Sequence, residues 1–189
     1  MERVVNTEST EVADRDLVVR SQGGDEGAFD QLVRRHQQRA FNVAFQLLRD
    51  REDATEVAQD AFVRIYRSLD TFRGECEFTT WLHQIVVNLA RNKHRWWHRR
   101  GRERAVELDD KLPAAQDAPD ALAANAEFVR MLVAKMASLP ASFREVLVLR
   151  NVEDLSYEEI AVVLKCSVGT VKSRMARARE ALRECMHNE

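Results

Sequence analysis

Residues 155–182 read LSYEEIAVVLKCSVGTVKSRMARAREAL, and this pattern decides the fold class. Ser156 followed by Glu159 is a capping box, so a helix starts here. Ile160, Ala161 and Leu164 give that helix an apolar face at helical spacing. Lys165 and Cys166 fill a tight turn, and Ser167 is placed to cap a second helix. Val168, Val171, Met175, Ala178 and Leu182 form its buried stripe, while Thr170, Lys172, Ser173, Arg174, Arg177 and Arg179 lie on the other face. A short helix, a brief turn and a second helix with a basic outer face describe a helix-turn-helix, whose second helix fits the DNA major groove. An ordinary amphipathic helix pair would also carry a solvated basic face. The cap, the turn length and the small Ala161 agree on the helix-turn-helix.

Working outward, 189 residues suit one or two small domains, and 45% hydrophobic residues suffice for real cores. Few Gly, Pro and aromatic residues favour helix over sheet. The net charge of −2 makes the distribution of charge, rather than its sum, the informative quantity. Cys76, Cys166 and Cys185 are odd in number and lack CxxC pairing, which argues against a disulfide framework. No stretch has the apolar length of a signal or a membrane span, so a cytoplasmic protein without membrane insertion is expected.

The N-terminal half reads as successive helices. Residues 1–13 form a polar tail. DRDLVVRSQ, from Asp14, is a short helix stopped by Gly23-Gly24. Asp25 caps a long helix to about Leu48, with Ala28, Phe29, Leu32, Val33, Phe41, Ala44, Phe45 and Leu48 largely on one face. A helix over about 52–69 follows, with Ala54, Val57, Ala58, Ala61, Phe62, Ile65 and Leu69 inward. Its outer face alternates in sign through Asp53, Glu56, Gln59, Asp60, Arg64 and Arg67. From the residues alone, a salt-bridged solvent face is the simpler account, worth a few tenths of a kcal/mol per pair. A docking surface for a partner helix is the other.

A loop over 71–77 leads to a helix ending near His98, with Trp81, Leu82, Ile85, Val86 and Leu89 inward and Trp96 placed to extend that side. After Asn88 the composition changes: Arg91, Lys93, Arg95, Arg99, Arg100, Arg102 and Arg104 are interleaved with His94, Trp96, Trp97 and His98. Cations mixed with planar rings suit single-stranded nucleic acid, each stacked base being worth roughly 1–3 kcal/mol. Alternatively the Trp pair is core and the arginines are solvated, although adjacent residues cannot both face inward. Residues 105–119 are acidic and carry Pro113 and Pro119, the composition of a linker. A helix over 121–139 and another starting at Pro140 complete the C-terminal unit. The fold class is all-α: two small helical domains, over 14–104 and 120–189, joined by a flexible acidic linker. The second is a four-helix helix-turn-helix domain. The sequence does not set how the two domains sit relative to one another.

SYEEIA and SVGTVKSRMARAREAL resemble the fourth region of extracytoplasmic-function (ECF) sigma factors, a group of the bacterial sigma-70 family. DATEVAQDAFVRIYRSL resembles the sigma region that binds the clamp helices of the polymerase beta-prime subunit, and DTFRGECEFTTWLHQIVVNLARNKHRWWHRR the region that opens the promoter −10 element. The resemblance implies core RNA polymerase (beta-prime clamp helices and beta subunit), promoter DNA and an anti-sigma factor as partners, with no cofactor, metal or small-molecule substrate. By position it places the polymerase contact on Asp53, Gln59, Asp60 and Arg64. It places a pocket for a flipped −10 base at Phe72, Arg73, Glu75, Cys76 and Phe78, supported by Trp81 and Asn88. Arg91, Arg95, Arg99 and Arg100, with Trp97, would hold the single strand. Thr170, Lys172, Ser173, Arg174, Arg177 and Arg179 would read the −35 element as duplex. The linker would have to run extended: a free chain of its length spans ~25 Å, about 70 Å stretched, against roughly 85 Å between the elements.

A self-sufficient helix-turn-helix regulator is the competing class, because LuxR-type regulators share a similar C-terminal pattern. The first half, however, has no receiver or ligand-pocket pattern. An enzyme is disfavoured: His94 and His98 lack a third ligand nearby, and the zinc-deaminase, P-loop and nucleophile-elbow motifs are absent.

Overall fold

A computed structural model of the chain describes residues 12–100, 131, 134–136 and 138–187. The tail up to residue 11, the acidic linker over 105–119 and most of the helix over 121–139 lie outside the described residues. Among the described residues every regular element is helical: α1 (Asp14–Gln22), α2 (Glu26–Leu48), α3 (Arg51–Ser68), α4 (Phe78–Arg99), α5 (Ala141–Asn151), α6 (Tyr157–Leu164) and α7 (Val168–His187). A 3-10 turn, Leu69–Thr71, joins α3 to the loop before α4.

Local chemistry explains the boundaries. Asp25 accepts the Ala28 N–H at 3.1 Å, and Asp50 accepts the Asp53 N–H at 2.9 Å, each satisfying an orphan donor of a first turn. The Asp25 carboxyl is held below its usual range by hydrogen bonds from Arg20 and from the Ala28 N–H. Ser156 and Glu159 exchange the reciprocal bonds of a capping box, at 3.1 Å and 2.8 Å. Gly24 ends the α1 turn at φ 91, where a side chain would be strained. Arg49 and Lys165 end α2 and α6 in the left-handed region, φ 57 and 53, without being glycine.

The N-terminal unit packs α1 to α4 around one core, α2 lying against α1, α3 and α4. Its centre differs from the sequence expectation for α2. Ala28, Leu32, Ala44 and Leu48 are buried as expected, but Phe29, Val33, Phe41 and Phe45 are only half-buried, whereas Ala40, Val43 and even His36 are buried. Small residues on the inner lines of α2 and α3 (Ala40 and Ala44; Ala54, Ala58 and Ala61) let the helices approach closely, which pushes the large rings to the flanks. In the C-terminal unit α5 and α6 pack on α7, with Val146, Leu149, Ile160, Val171 and Met175 buried.

The two units touch, α4 against α6 and α2 against α5. Arg144 of α5 is buried at the joint. Its guanidinium donates to Leu47 O in the last turn of α2 at 2.7 Å, to Leu139 O at 3.1 Å and to Met136 O at 3.2 Å. One cation thus satisfies terminal carbonyls from two helical segments, at the helix end where positive charge is favoured. Burial pushes the Arg144 pKa down, against the pull of Glu145.

Arg144→Ala should therefore cost about 2–3 kcal/mol, because it strands buried carbonyls. Ser156→Ala should cost about 1 kcal/mol through loss of a cap. Urea unfolding of both variants checks the order, and equal losses would contradict the role given to Arg144.

Candidate nucleic-acid interface

The loop between α3 and α4 is shaped by aromatic stacking. Phe72 lies flat on Trp81, ring centroids 4.4 Å apart and 12° from parallel, and Phe78 meets the same indole edge-on at 6.3 Å. Gln22 of α1 donates its amide hydrogens to Leu69 O and Phe72 O, both at 2.9 Å, which pins the start of the loop. Gly74 turns it at φ 69. Phe72, Arg73, Gly74, Cys76, Glu77 and Phe78 form one side of a cavity of about 240 Å³; α1 forms the other. Of the predicted pocket residues, Phe72, Arg73, Cys76 and Phe78 line the cavity, Trp81 stands behind Phe72, and Glu75 is exposed outside it. Trp81, Asn88 and Arg95 recur at seven-residue steps and so share one face of α4.

Toward its C-terminus α4 becomes cationic. Asn92, Arg95, His98 and Arg99 line an open groove of about 540 Å³. Arg100 lies 4.3 Å from the Trp96 ring centroid and Lys93 5.9 Å from it. Trp97 packs partly against the core, beside His94 at 5.9 Å. Of the two indoles, the one singled out for stacking, Trp97, is thus the inward-packed one, and Trp96 carries the cations. No group of three or more metal-ligating side chains occurs among the described residues.

On α3, Gln59, Asp60 and Arg64 are exposed, as a partner surface requires. Asp53 is not: its carboxylate meets Lys93 of α4 at 2.9 Å, and Lys93 also reaches Glu56 at 2.5 Å. Burial opposes the Lys93 charge, but the bonds to Glu56 and Asp53 outweigh it and raise its pKa. Sequence reasoning missed Val63 and Tyr66, which expose apolar surface beside Arg64 and Arg67, with Tyr66 packed edge-on against Phe29 at 5.0 Å. Their signal was present: apolar residues off the buried stripe of α3.

On α7, Thr170, Ser173, Arg174 and Arg177 fall at helical spacing on one face, with Lys172 and Arg179 flanking. Ser167 Oγ accepts the Thr170 N–H at 3.2 Å, the expected cap. Among the described residues, Lys172, Arg174, Arg177 and Arg179 have no ion-pair partner, leaving a bare cationic face. Arg91 is different. Its Nε and Nη2 each donate to a Glu145 carboxylate oxygen at 2.6 Å, across the joint, and these bonds to Glu145 raise its pKa. Nearby, Glu153 lies 2.8 Å from Arg39 and 3.0 Å from His83, and Gln84 donates to Val162 O at 3.1 Å.

Residues 32–102 match the family model for Sigma-70 region 2, and residues 130–182 that for Sigma-70, region 4. The RNA polymerase sigma-H factor of Pseudomonas aeruginosa is 38% identical over 180 residues, spanning 92% of this chain and 93% of that protein. The ECF RNA polymerase sigma-E factor of Escherichia coli is 36% identical over 184 residues, spanning 92% and 94%. The fold is similar to that of CnrH, solved in complex with the cytosolic domain of CnrY, with a TM-score of 0.69 at 28% identity over 93% of this chain and 97% of that one.

Burial, then Glu75 and Glu77, push the Cys76 thiol above its ordinary value of 9.0. It should therefore be protonated at neutral pH, and the pH–rate profile of its alkylation, followed by mass spectrometry, should have its midpoint above that value. A midpoint below it would contradict the electrostatics of the loop.

Proposed function

The chain belongs to the extracytoplasmic-function sigma factors of the sigma-70 family, and we propose that it directs core RNA polymerase to promoters by gripping each one at two places. Sigma factors are initiation factors and not enzymes. The α7 face would enter the −35 major groove, with Ser173, Arg174 and Arg177 toward base edges and Thr170, Lys172 and Arg179 toward phosphates. The cavity behind Phe72 would take a base flipped from the −10 element, and the cationic end of α4 would hold the exposed strand. Unstacking a base costs a few kcal/mol, which binding of the flipped state offsets without ATP. Gln59, Asp60 and Arg64, flanked by Val63 and Tyr66, would dock on the beta-prime clamp helices. Asp53 would act there indirectly, by fixing α3 to α4. Such a role would be exercised in the cytoplasm.

The single observation that carries this reading is that one chain holds both an aromatic pocket at the start of α4 and a bare cationic helix-turn-helix face. A self-sufficient duplex-binding regulator would need only the second. Arg91 is engaged by Glu145, so strand contact through Arg91 requires the joint between the units to open. An anti-sigma factor that clamps both units closed is the proposed regulator, on the strength of family membership.

Transcription from a promoter library with core polymerase tests the function: discrete start sites should appear only when this chain is added. Arg177→Ala should weaken binding to the recovered −35 sequence by about 1–3 kcal/mol and relax its specificity there. Unchanged promoter preference would remove Arg177 from the readers, and absence of any transcript would overturn the proposal.

A further inference from the structure

Helix α1 closes one side of the pocket but carries no side chain assigned to DNA or polymerase, and the match to Sigma-70 region 2 begins only at residue 32. It is nonetheless firmly built into the N-terminal unit. Leu17 and Val18 are buried. Asp14 pairs with Arg35 and lies 2.6 Å from His36 on α2. Gln22 ties the other end of the helix to the carbonyls of Leu69 and Phe72. Helix α1 is therefore held at one end by α2 and at the other by the pocket loop itself.

We propose that α1 is the second wall of the base-capture cavity and that Arg15 is its cation, binding a phosphate of the captured nucleotide; this rests on the function proposed above. Arg15, Val18, Val19 and Gln22 face Phe72 and Phe78 across the 240 Å³ cavity. Arg15 and Val19 are one helical turn apart and so lie on one side of α1. Val19 is 61% exposed, an apolar side chain left bare at a cavity rim. Arg15 has no hydrogen-bond or ion-pair partner among the described residues. An apolar wall opposite an aromatic one, with a free guanidinium at the edge, matches the two parts of an unstacked nucleotide: a flat base and an anionic phosphate. The side chains that hold α1 in place, Asp14 and Gln22, are already saturated by their own partners. Arg20, the other cation of α1, is held by Asp25 at 2.7 Å, which leaves Arg15 as the cation of this helix able to meet an incoming anion.

The test uses the holoenzyme, core polymerase with the full-length chain, and a single-stranded oligonucleotide carrying the non-template −10 sequence. Binding is measured across a salt series for wild type, Arg15→Ala and Arg15→Lys. Loss of one phosphate contact should lower the magnitude of the log–log salt slope by roughly 0.7. Affinity should fall about tenfold at low salt, and Arg15→Lys should restore most of the slope. Binding to duplex −35 DNA should be unchanged in both variants, and thermal unfolding followed by circular dichroism should match wild type, which shows that the N-terminal unit remains folded. If wild type binds the oligonucleotide and Arg15→Ala matches it in affinity and slope, the assignment to Arg15 is wrong while the pocket reading stands. If the wild-type holoenzyme itself shows no preference for the −10 strand, the underlying pocket reading fails instead.

Discussion

The contact between the two helical units rests on ionised groups taken out of water. Arg144, Glu145 and Glu153 are all buried there. Removing such groups from water costs several kcal/mol per ion, recovered only where the partners are well placed. Two of the three are: Arg91 grips Glu145 with a two-pronged fork, and Arg144 draws three carbonyls together, whereas Glu153 is met by Arg39 and His83 through charge alone, its buried Oε2 making no hydrogen bond among the described residues. A joint of this kind differs from an apolar core. When it opens, the freed charges return to water and are stabilised there, whereas an opened apolar surface is not. It is therefore suited to hold two units together and also to release them.

The chemistry of this joint overlaps that of the promoter binding proposed above. A carboxylate and a phosphate present similar paired oxygens to a guanidinium. Glu145 occupies on Arg91 the position that a backbone phosphate would need, so the docked chain and the strand-bound chain compete for one side chain. On α7 the situation is reversed, since Lys172, Arg174, Arg177 and Arg179 have no ion-pair partner among the described residues. On the function proposed above, the docked chain would keep its duplex-reading face free while part of its strand-holding equipment is engaged. Helix α4 links these roles. Its inner face builds the core through Leu82, Val86 and Leu89, its start supports the pocket through Trp81, and its end carries the cations.

Much of this was legible in the sequence, and the reason is local. The caps at Asp25 and Ser156, the Gly23-Gly24 stop and the apolar stripe of α3 depend on residues within a turn or two of each other. The phenyl rings of the pocket were legible because a resemblance named the loop. What escaped depended on distant partners. Asp53 looked like surface charge, but it meets Lys93 forty residues later in the chain. Arg144 and Glu145 sit in a stretch whose apolar neighbours set the helix face, and charged residues are assumed to point outward unless a partner is known. The partners, Leu47 O and Arg91, belong to the other domain. Part of the buried line of α2 was misjudged because size was weighed above fit: Ala40 joins the expected Ala44 at the centre, where large rings would hold the helices apart.

On the function proposed above, the units dock through this charged joint in the free chain and part when polymerase and promoter are engaged. The most direct measurement is single-molecule energy transfer between dyes at Glu26 on α2 and Glu180 on α7, both exposed, in a chain whose native cysteines are replaced by serine. The account predicts one compact population in the free chain and a shift to a longer distance in the promoter complex. A free chain already spread over long distances, or a distance that does not change on joining core polymerase and promoter, would contradict it.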